Sequence, residues 1–402
     1  MLSLFCLQLT SLTVYDHDLA FNGKRKQIDE SQLIRIATNS PNVRHLRING
    51  PVHDLTPEGA DRAAQLWSRV EELDLRGSRF NDRVLTKFVK HFQDLKSLKI
   101  DYIHNGKVQL FDTIFLYHPK LVDFECIFGD YLQKTNWFRS CDLPLKRFVV
   151  ERIWNEEATL DTLEKCCKDS LQTIHLAYAV RDGSQVTSKI FSTFQQLREV
   201  SLYINKFSDL QNKPVLPHLE KLCLHQVWGQ GFEDLIDFLK PYPELKEFHL
   251  KDMRTDIKAV KNITAILPNL QSFSFQFAEL NSTVLKSVTS LKKLEHFNFG
   301  VGKKLVIEDV QAFVREMPSL QRLTFWLVGN NSIDEYFNFY KAIRDEIRSS
   351  GSNRQLWVGQ EDDLAQGGGL YFSLDSSETC TDAAIENFVK ELKKRKKAWN
   401  FC

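Results

Sequence analysis

The apolar and polar positions of the chain repeat one six-residue phrase, L-x-x-L-x-L, with Val, Ile, Phe or Cys standing in for Leu. It reads LTSLTV from Leu9, VRHLRI from Val43, VEELDL from Val70, LKSLKI from Leu95, LVDFEC from Leu121, LKRFVV from Leu145 and LQTIHL from Leu171. It continues as LREVSL from Leu197, LEKLCL from Leu219, LKEFHL from Leu245, LQSFSF from Leu270, LEHFNF from Leu294 and LQRLTF from Leu320. Successive first positions lie 34, 27, 25, 26, 24, 26, 26, 22, 26, 25, 24 and 26 residues apart. Positions four and six of each phrase alternate with polar residues, as a short strand with one buried face requires. The rest of the unit has helical spacing. Phe232, Leu235, Ile236 and Leu239 form one apolar stripe, and Ile307, Val310, Phe313, Val314 and Met317 another. Pro41, Pro119, Pro217, Pro243, Pro268 and Pro318 each stand two residues before a ladder residue, where proline ends a helix and favours extended chain.

Each unit therefore reads strand, turn, helix. One such unit cannot bury its own apolar face, but stacked units share a core, and a period of 20 to 29 residues is that of leucine-rich repeats. The expected fold is an α/β leucine-rich-repeat solenoid, a horseshoe of about thirteen units over residues 1–327. A C-terminal capping region follows at 328–402. There Ser332 and Glu335 have capping-box spacing before a helix with Ile333, Tyr336, Tyr340, Ile343 and Ile347; QLWV and LYFSL read as strands; a last helix follows Thr381. The asparagine that usually stands three residues past the last ladder position is clear only at Asn205.

Composition narrows the function. With 53 Lys plus Arg against 52 Asp plus Glu, the net charge of +1 argues against a polycationic nucleic-acid binder. Hydrophobic residues at 43% supply enough material for a large core. Eight cysteines without regular pairing do not read as a secreted disulfide framework, so a reducing cytoplasmic or nuclear compartment is expected. The apolar start lacks the basic region and cleavage site of a signal peptide, and no run reaches the ~18 apolar residues of a membrane span. The run Lys390, Lys393, Lys394, Arg395, Lys396 and Lys397 reads as a solvated helix face, with an import signal or a nucleic-acid contact as its alternative.

Phrases such as SPNVRHLRI, YPELKEFHL, LPNLQSFSF and MPSLQRLTF, in units of 24 to 27 residues, resemble the repeat region of F-box/leucine-rich-repeat proteins. The resemblance covers roughly residues 1–330. It implies a protein partner held by the repeats, as the substrate-binding part of an SCF-type ubiquitin ligase receptor holds its substrate. Ubiquitin-ligase subunits are expected as partners only if an F-box lies upstream, because no Leu-Pro-rich stretch of that kind precedes the first repeat. Either that segment belongs to a longer product, or Met1 to Leu9 cap the end themselves. An F-box-independent scaffold or inhibitor built on the same repeats is the alternative.

The residues flanking ladder positions four and six should project from the concave face. Arg47, Asp74, Lys99 and Glu125 crowd the early middle column with alternating charge that is costly to desolvate. Later columns offer aromatics, imidazoles and small polar groups, which interface centres favour. The expected partner-binding residues are His175, Tyr178, Tyr203, His225, His249, Phe277 and Trp326. Zinc is not expected, since His175, His225, His249 and His296 sit on strands separated by up to five repeats, and ligands must converge within about 2 Å of one ion. No cofactor is expected either: Gly367 to Gly369 lack the Lys-Ser or Lys-Thr of a phosphate loop. Catalysis has no supporting motif, because Ser201 beside His175 is the kind of neighbour that polar columns produce by chance. Cys141 and Cys167, four residues before a ladder leucine, read as core. Replacing Leu222 by Asp should place an unpaired carboxylate in the shared core and cost several kcal/mol. Thermal unfolding of that variant checks the register, and an unchanged midpoint would show it to be misassigned.

Overall fold

The computed structural model describes residues 8–15, 28–101, 114–127, 143–150, 156–176, 183–225, 231–251, 256–275, 282–301, 306–327, 341–346, 349, 356–360 and 370–374, apart from positions 51 and 79. The described residues divide into two compact units. The first comprises Met1–Tyr203 with Lys213–His218, and the second Ile204–Asn212 with Leu219–Cys402.

The first unit carries eight repeat strands: β1 (Ser11–Tyr15), β2 (His45–Asn49), β3 (Glu72–Leu75), β4 (Ser97–Ile100), β5 (Asp123–Cys126), β6 (Arg147–Val150), β7 (Thr173–Leu176) and β8 (Glu199–Tyr203). They pair in parallel in chain order, and like positions of the phrase stand opposite one another, as in Arg47↔Asp74, Asp74↔Lys99 and Lys99↔Glu125. The second unit carries β9 (Lys221–His225), β10 (Glu247–Lys251), β11 (Ser272–Phe275), β12 (His296–Val301) and β13 (Arg322–Leu327), paired in the same register. The helices of the first unit are α1 (Glu30–Asn39), α2 (Pro57–Leu66), α3 (Asp82–Val89), α4 (Glu156–Cys167) and α5 (Gly183–Thr193). Those of the second are α6 (Phe232–Leu239), α7 (Ile257–Ile266), α8 (Ser282–Val288) and α9 (Ile307–Glu316). The expected repeat fold is thus present, strand by strand.

Within each compact unit one backbone contact ties a repeat to the next. The carbonyl of phrase position two accepts two amides from the following unit: Arg44 O from Glu71 N at 2.8 Å and Glu72 N at 2.9 Å, Lys146 O from Gln172 N at 2.8 Å and Thr173 N at 2.9 Å. The second unit repeats it, with Lys246 O accepting from Gln271 N at 2.7 Å and Ser272 N at 3.0 Å. Behind the strands the ladder residues pack away from water. Leu46, Leu73, Leu98, Phe124, Phe148, Ile174 and Val200 are all at most 2% exposed, as are Leu222, Phe248, Phe273, Phe297 and Leu323. A phenylalanine fully buried in this way contributes on the order of 2 to 3 kcal/mol. Phe297 of β12 meets Phe313 of α9 at a ring-centre distance of 5.4 Å, so the helices cover this face and leave the other face of the strands open. Leu9, at the edge strand, stays 38% exposed.

The prolines act as their register predicts. The residue before Pro41, Pro268 and Pro318 leaves the helical region: Ser40 at φ −134° and ψ 56°, Leu267 at −118° and 64°, Met317 at −118° and 71°. Helix starts are set by side chains accepting free amides, Asp29 from Gln32, Thr56 from Gly59, Asn81 from Val84 and Asp256 from Ala259. The shortest interval, 22 residues, has no room for a full helix. It carries a single 3-10 turn, Phe207–Leu210, whose Phe207 ring packs 5.0 Å from Phe232. Asn205 departs from expectation: it is exposed, and Ile204 beside it is buried.

In the C-terminal region, β14 (Leu356–Gln360) and β15 (Leu370–Leu374) form an antiparallel pair, and residues 341–346 are helical. The expected capping box at Ser332 and Glu335, the glycine loop at Gly367 to Gly369 and the basic run from Lys390 to Lys397 lie outside the described residues, as does Cys141. Among the described residues no helix is long and apolar enough to cross a membrane. Cys167 is core, its thiol pushed up to about 12 by burial.

His118, following the short helical turn that ends at Tyr117, is fully buried, and burial, opposed by the Phe92 backbone, pushes it down from 6.5 to about 4. The unfolded chain therefore binds a proton that the folded one refuses. Stability should fall as pH drops from about 6.5 towards 4, by on the order of 3 kcal/mol. Chemical denaturation across that range checks this, and His118→Leu should flatten the curve. An equally steep loss in the variant would place the acid sensitivity elsewhere.

Candidate functional site

The open face carries phrase positions three and five, since side chains alternate along a strand. In the first unit these positions form a lattice of ion pairs. Arg76, just past β3, grips Asp74 through both oxygens, Nε to Oδ1 at 3.0 Å and Nη2 to Oδ2 at 2.7 Å, and reaches over β4 to Glu125 on β5 at 3.0 Å. Arg147 of β6 donates to the other oxygen of Glu125 at 2.9 Å and to Asp123 at 2.7 Å. Burial alone would raise the Asp74 carboxyl, but hydrogen bonds from the Arg76 side chain and amide, with the charges of Arg76 and Arg47, hold it below its ordinary value. Asp74 raises Arg76 in return. Burial works against the Arg147 cation, yet Asp123 and Glu125 raise it. Asp101, whose carboxylate accepts the Gly77 amide, is raised by burial. Gly77 has φ +87°, and a Cβ there would stand 2.5 Å from the Asn49 side-chain oxygen, so glycine is what lets this loop close onto the lattice.

The open face of the second unit has different chemistry. Cys223 on β9 lies opposite His249 on β10, which lies opposite Ser274 on β11 and, beyond it, Asn298 on β12. Ser274 Oγ and His249 Nδ1 are 2.8 Å apart, and His249 Nε2 points to Glu247 Oε2 at 3.4 Å. Both contacts are met by a neutral imidazole that accepts the serine hydroxyl at Nδ1 and donates from Nε2. Burial accordingly lowers His249 from 6.5, with Glu247 opposing. Glu247 itself is pulled down to about 2 by the hydrogen bond from His249 and by Lys221, whose ammonium is 3.0 Å away. Cys223 Sγ lies 3.1 Å from His225 Nε2, and both residues are buried.

The expected binding residues fall as follows. His175 is half-buried on β7 and Tyr203 ends β8, both in the first unit; His225 and His249 belong to β9 and β10 in the second. Trp326 lies on β13. Tyr178 and Phe277 lie outside the described residues. The expectation that these side chains stand open to solvent is corrected for two of them, since Tyr203 is 8% and His225 7% exposed. The physical reason is the close spacing of parallel strands: in-register side chains on neighbouring strands, about 4.8 Å apart, cover one another, so even Glu125, Cys223 and Ser274 are buried. The sequence reading also passed over column three. His45, Glu72, Asp123, Arg147, Lys221 and Glu247 face the same way as column five; they pair with one another, His45 with Glu72, Arg147 with Asp123 and Lys221 with Glu247, and Arg147 also reaches Glu125 of column five. Strand alternation alone would have found them. His225 and His249, though on adjacent strands, turn to different partners, and among the described residues no three potential ligands converge on a metal position.

No family model matches the chain. An F-box/FBD/LRR-repeat protein of Arabidopsis thaliana is 22% identical over 230 residues, which is 56% of this chain and 43% of that protein, so the chain spans less than half of the relative's length. Among solved structures, the Rad7 and Elc1 complex of yeast matches with a TM-score of 0.51 at 14% identity, over 73% of this chain and 78% of that one. The leucine-rich repeat-containing protein LegL7 of Legionella pneumophila matches over 85% of this chain and 98% of its own, with a TM-score of 0.40 and 11% identity. The recurring phrase, the parallel register and the helices behind the strands agree with the likeness to the Rad7 structure, and the chain has the leucine-rich-repeat fold.

Proposed function

We propose that the chain is a non-enzymatic recognition subunit that captures a protein partner on the open face of its repeats. The supporting observation is the set of in-register polar columns on strands whose other face is fully committed to the core. Such a face is rigid, so its side chains are held in place before a partner arrives and little further ordering is needed on binding. In the second unit it presents His249, Ser274, Asn298 and Lys221, groups that donate and accept hydrogen bonds without carrying a dense charge. His175 and Tyr203 supply the corresponding contacts in the first unit, and Tyr178, Phe277 and Trp326 complete the binding set.

The finer form of this reading is the substrate-binding part of an SCF-type ubiquitin ligase receptor. The likeness to an F-box/FBD/LRR-repeat protein supports it, as does the fold shared with Rad7, solved in complex with Elc1. In that form the captured protein is a ubiquitination substrate and the ligase subunits bind through an F-box upstream of the repeats. An F-box-independent scaffold or inhibitor would capture its partner in the same way without them.

Affinity capture followed by identification of the bound protein supplies the partner, and recovery of a cullin adaptor with it separates ligase receptor from scaffold. Affinity is then measured for Tyr203→Ala and His249→Ala, each singly, and for Glu233→Ala with Lys258→Ala, an exposed pair on the helices. A loss of about 2 kcal/mol is expected in at least one of the first two and none in the helix pair. The reverse order would move the interface to the helices. Because His249 is neutral at pH 7, an interface built on it should hold its affinity down to about pH 6.5 and weaken below.

A further inference from the structure

We infer that the first unit carries a seat for a partner carboxylate, an acidic side chain in a segment of the captured protein, between Arg47 of β2 and Lys99 of β4. The inference rests on the proposed protein capture and adds the chemistry of one contact. A groove of about 150 Å³ lies over β1 to β4, lined among others by Ser11, Thr13, His45, Arg47, Asp74 and Lys99. Its acids are engaged. Asp74 gives both oxygens to Arg76, one also to the Arg76 amide, and Glu72 faces His45 at 3.0 Å. Asp123, the acid nearest Lys99, gives one oxygen to Arg147 at 2.7 Å and the other to Ser97 at 2.8 Å.

Its two permanent cations are left over. Arg47 Nε is buried and makes no hydrogen bond, standing 3.6 Å from an Asp74 oxygen that Arg76 already holds. Lys99 Nζ reaches no closer than 4.0 Å to Asp123. The register places the two residues on either side of Asp74, two strands apart, about 9.6 Å at a strand spacing of 4.8 Å. Two long cationic side chains at that separation can close on one carboxylate, and the Thr13 and Ser11 hydroxyls stand exposed at the edge strand as further donors. The strength of the neighbouring pairs is what creates this site: Arg76 and Arg147 hold the carboxylates in geometry that Arg47 and Lys99 cannot match, so an incoming acid meets two cations without a hydrogen-bonded counter-ion.

The test uses a fluorescein-labelled octaglutamate peptide, with octaglutamine as its neutral counterpart, and fluorescence anisotropy at low salt. All chains carry Gln at Lys390, Lys393, Lys394, Arg395, Lys396 and Lys397, so that the basic run does not bind the probe. Arg47→Gln with Lys99→Gln should weaken octaglutamate binding about tenfold or more, and Lys240→Gln with Lys258→Gln, which removes two exposed cations elsewhere, should leave it unchanged. Arg47→Glu with Lys99→Glu should lose octaglutamate and gain octalysine. Thermal unfolding confirms that each variant is folded. Equal affinities in the groove variant and its parent, equal binding of octaglutamine, or no binding by the parent would each overturn the seat. None of these results depends on a captured partner, so the seat can fail while protein capture stands, and capture can fail while the seat stands.

Discussion

A strand of four to six residues with a helix behind it has one apolar face and no means of closing a core. Everything else in this protein follows from the way that deficit is shared. Within each compact unit a strand obtains its hydrogen bonds and its buried neighbours from the repeats before and after it, and the shared carbonyl at phrase position two fixes how they meet. Two amides on one oxygen leave a following strand a single register. A slip by one residue would turn the ladder leucines and phenylalanines outward, losing a few kcal/mol in every repeat.

The same register decides the character of the open face. Like positions stand opposite one another, so any charge in one column must find its counter-charge in a neighbouring column or on the next strand. The first unit does this with two arginines that each bridge two carboxylates. A charge whose partner is removed would remain close to protein and far from bulk water, which makes such a lattice cooperative. The second unit avoids the problem. Ser274 and a neutral His249 satisfy one another without balancing charge, and Lys221 and Glu247 form an ion pair beside them.

The fold was legible in the sequence because its cause is periodic: the phrase beginning at Val43 and the one beginning at Leu320 read alike, and the prolines before them punctuate the helices. The site was less legible, since its properties come from which side chain reaches which neighbour. Arg76 passing over a strand to Glu125 is a matter of side-chain length and backbone turn at Gly77, and no pattern of residue types encodes it. Column three was missed for a simpler reason. The ladder draws the eye to the residues between its rungs, although the position before the fourth points the same way. The burial of Tyr203 and His225 depends on strand packing, which residue type alone does not disclose.

The intervals between phrases run from 22 to 34 residues, and the shortest is met by replacing a helix with the turn Phe207–Leu210. The register of the strands, by contrast, admits no shift. Variation in this chain is therefore of two kinds, spatially separated. Insertions and deletions can accumulate in the segments behind the strands at little thermodynamic cost, while the open face can evolve only by exchanging one side chain for another at a fixed address. A lineage of such proteins would diverge in the size of its repeats and in the letters written on its strands as independent characters, and descent would be read best from the first, binding preference from the second.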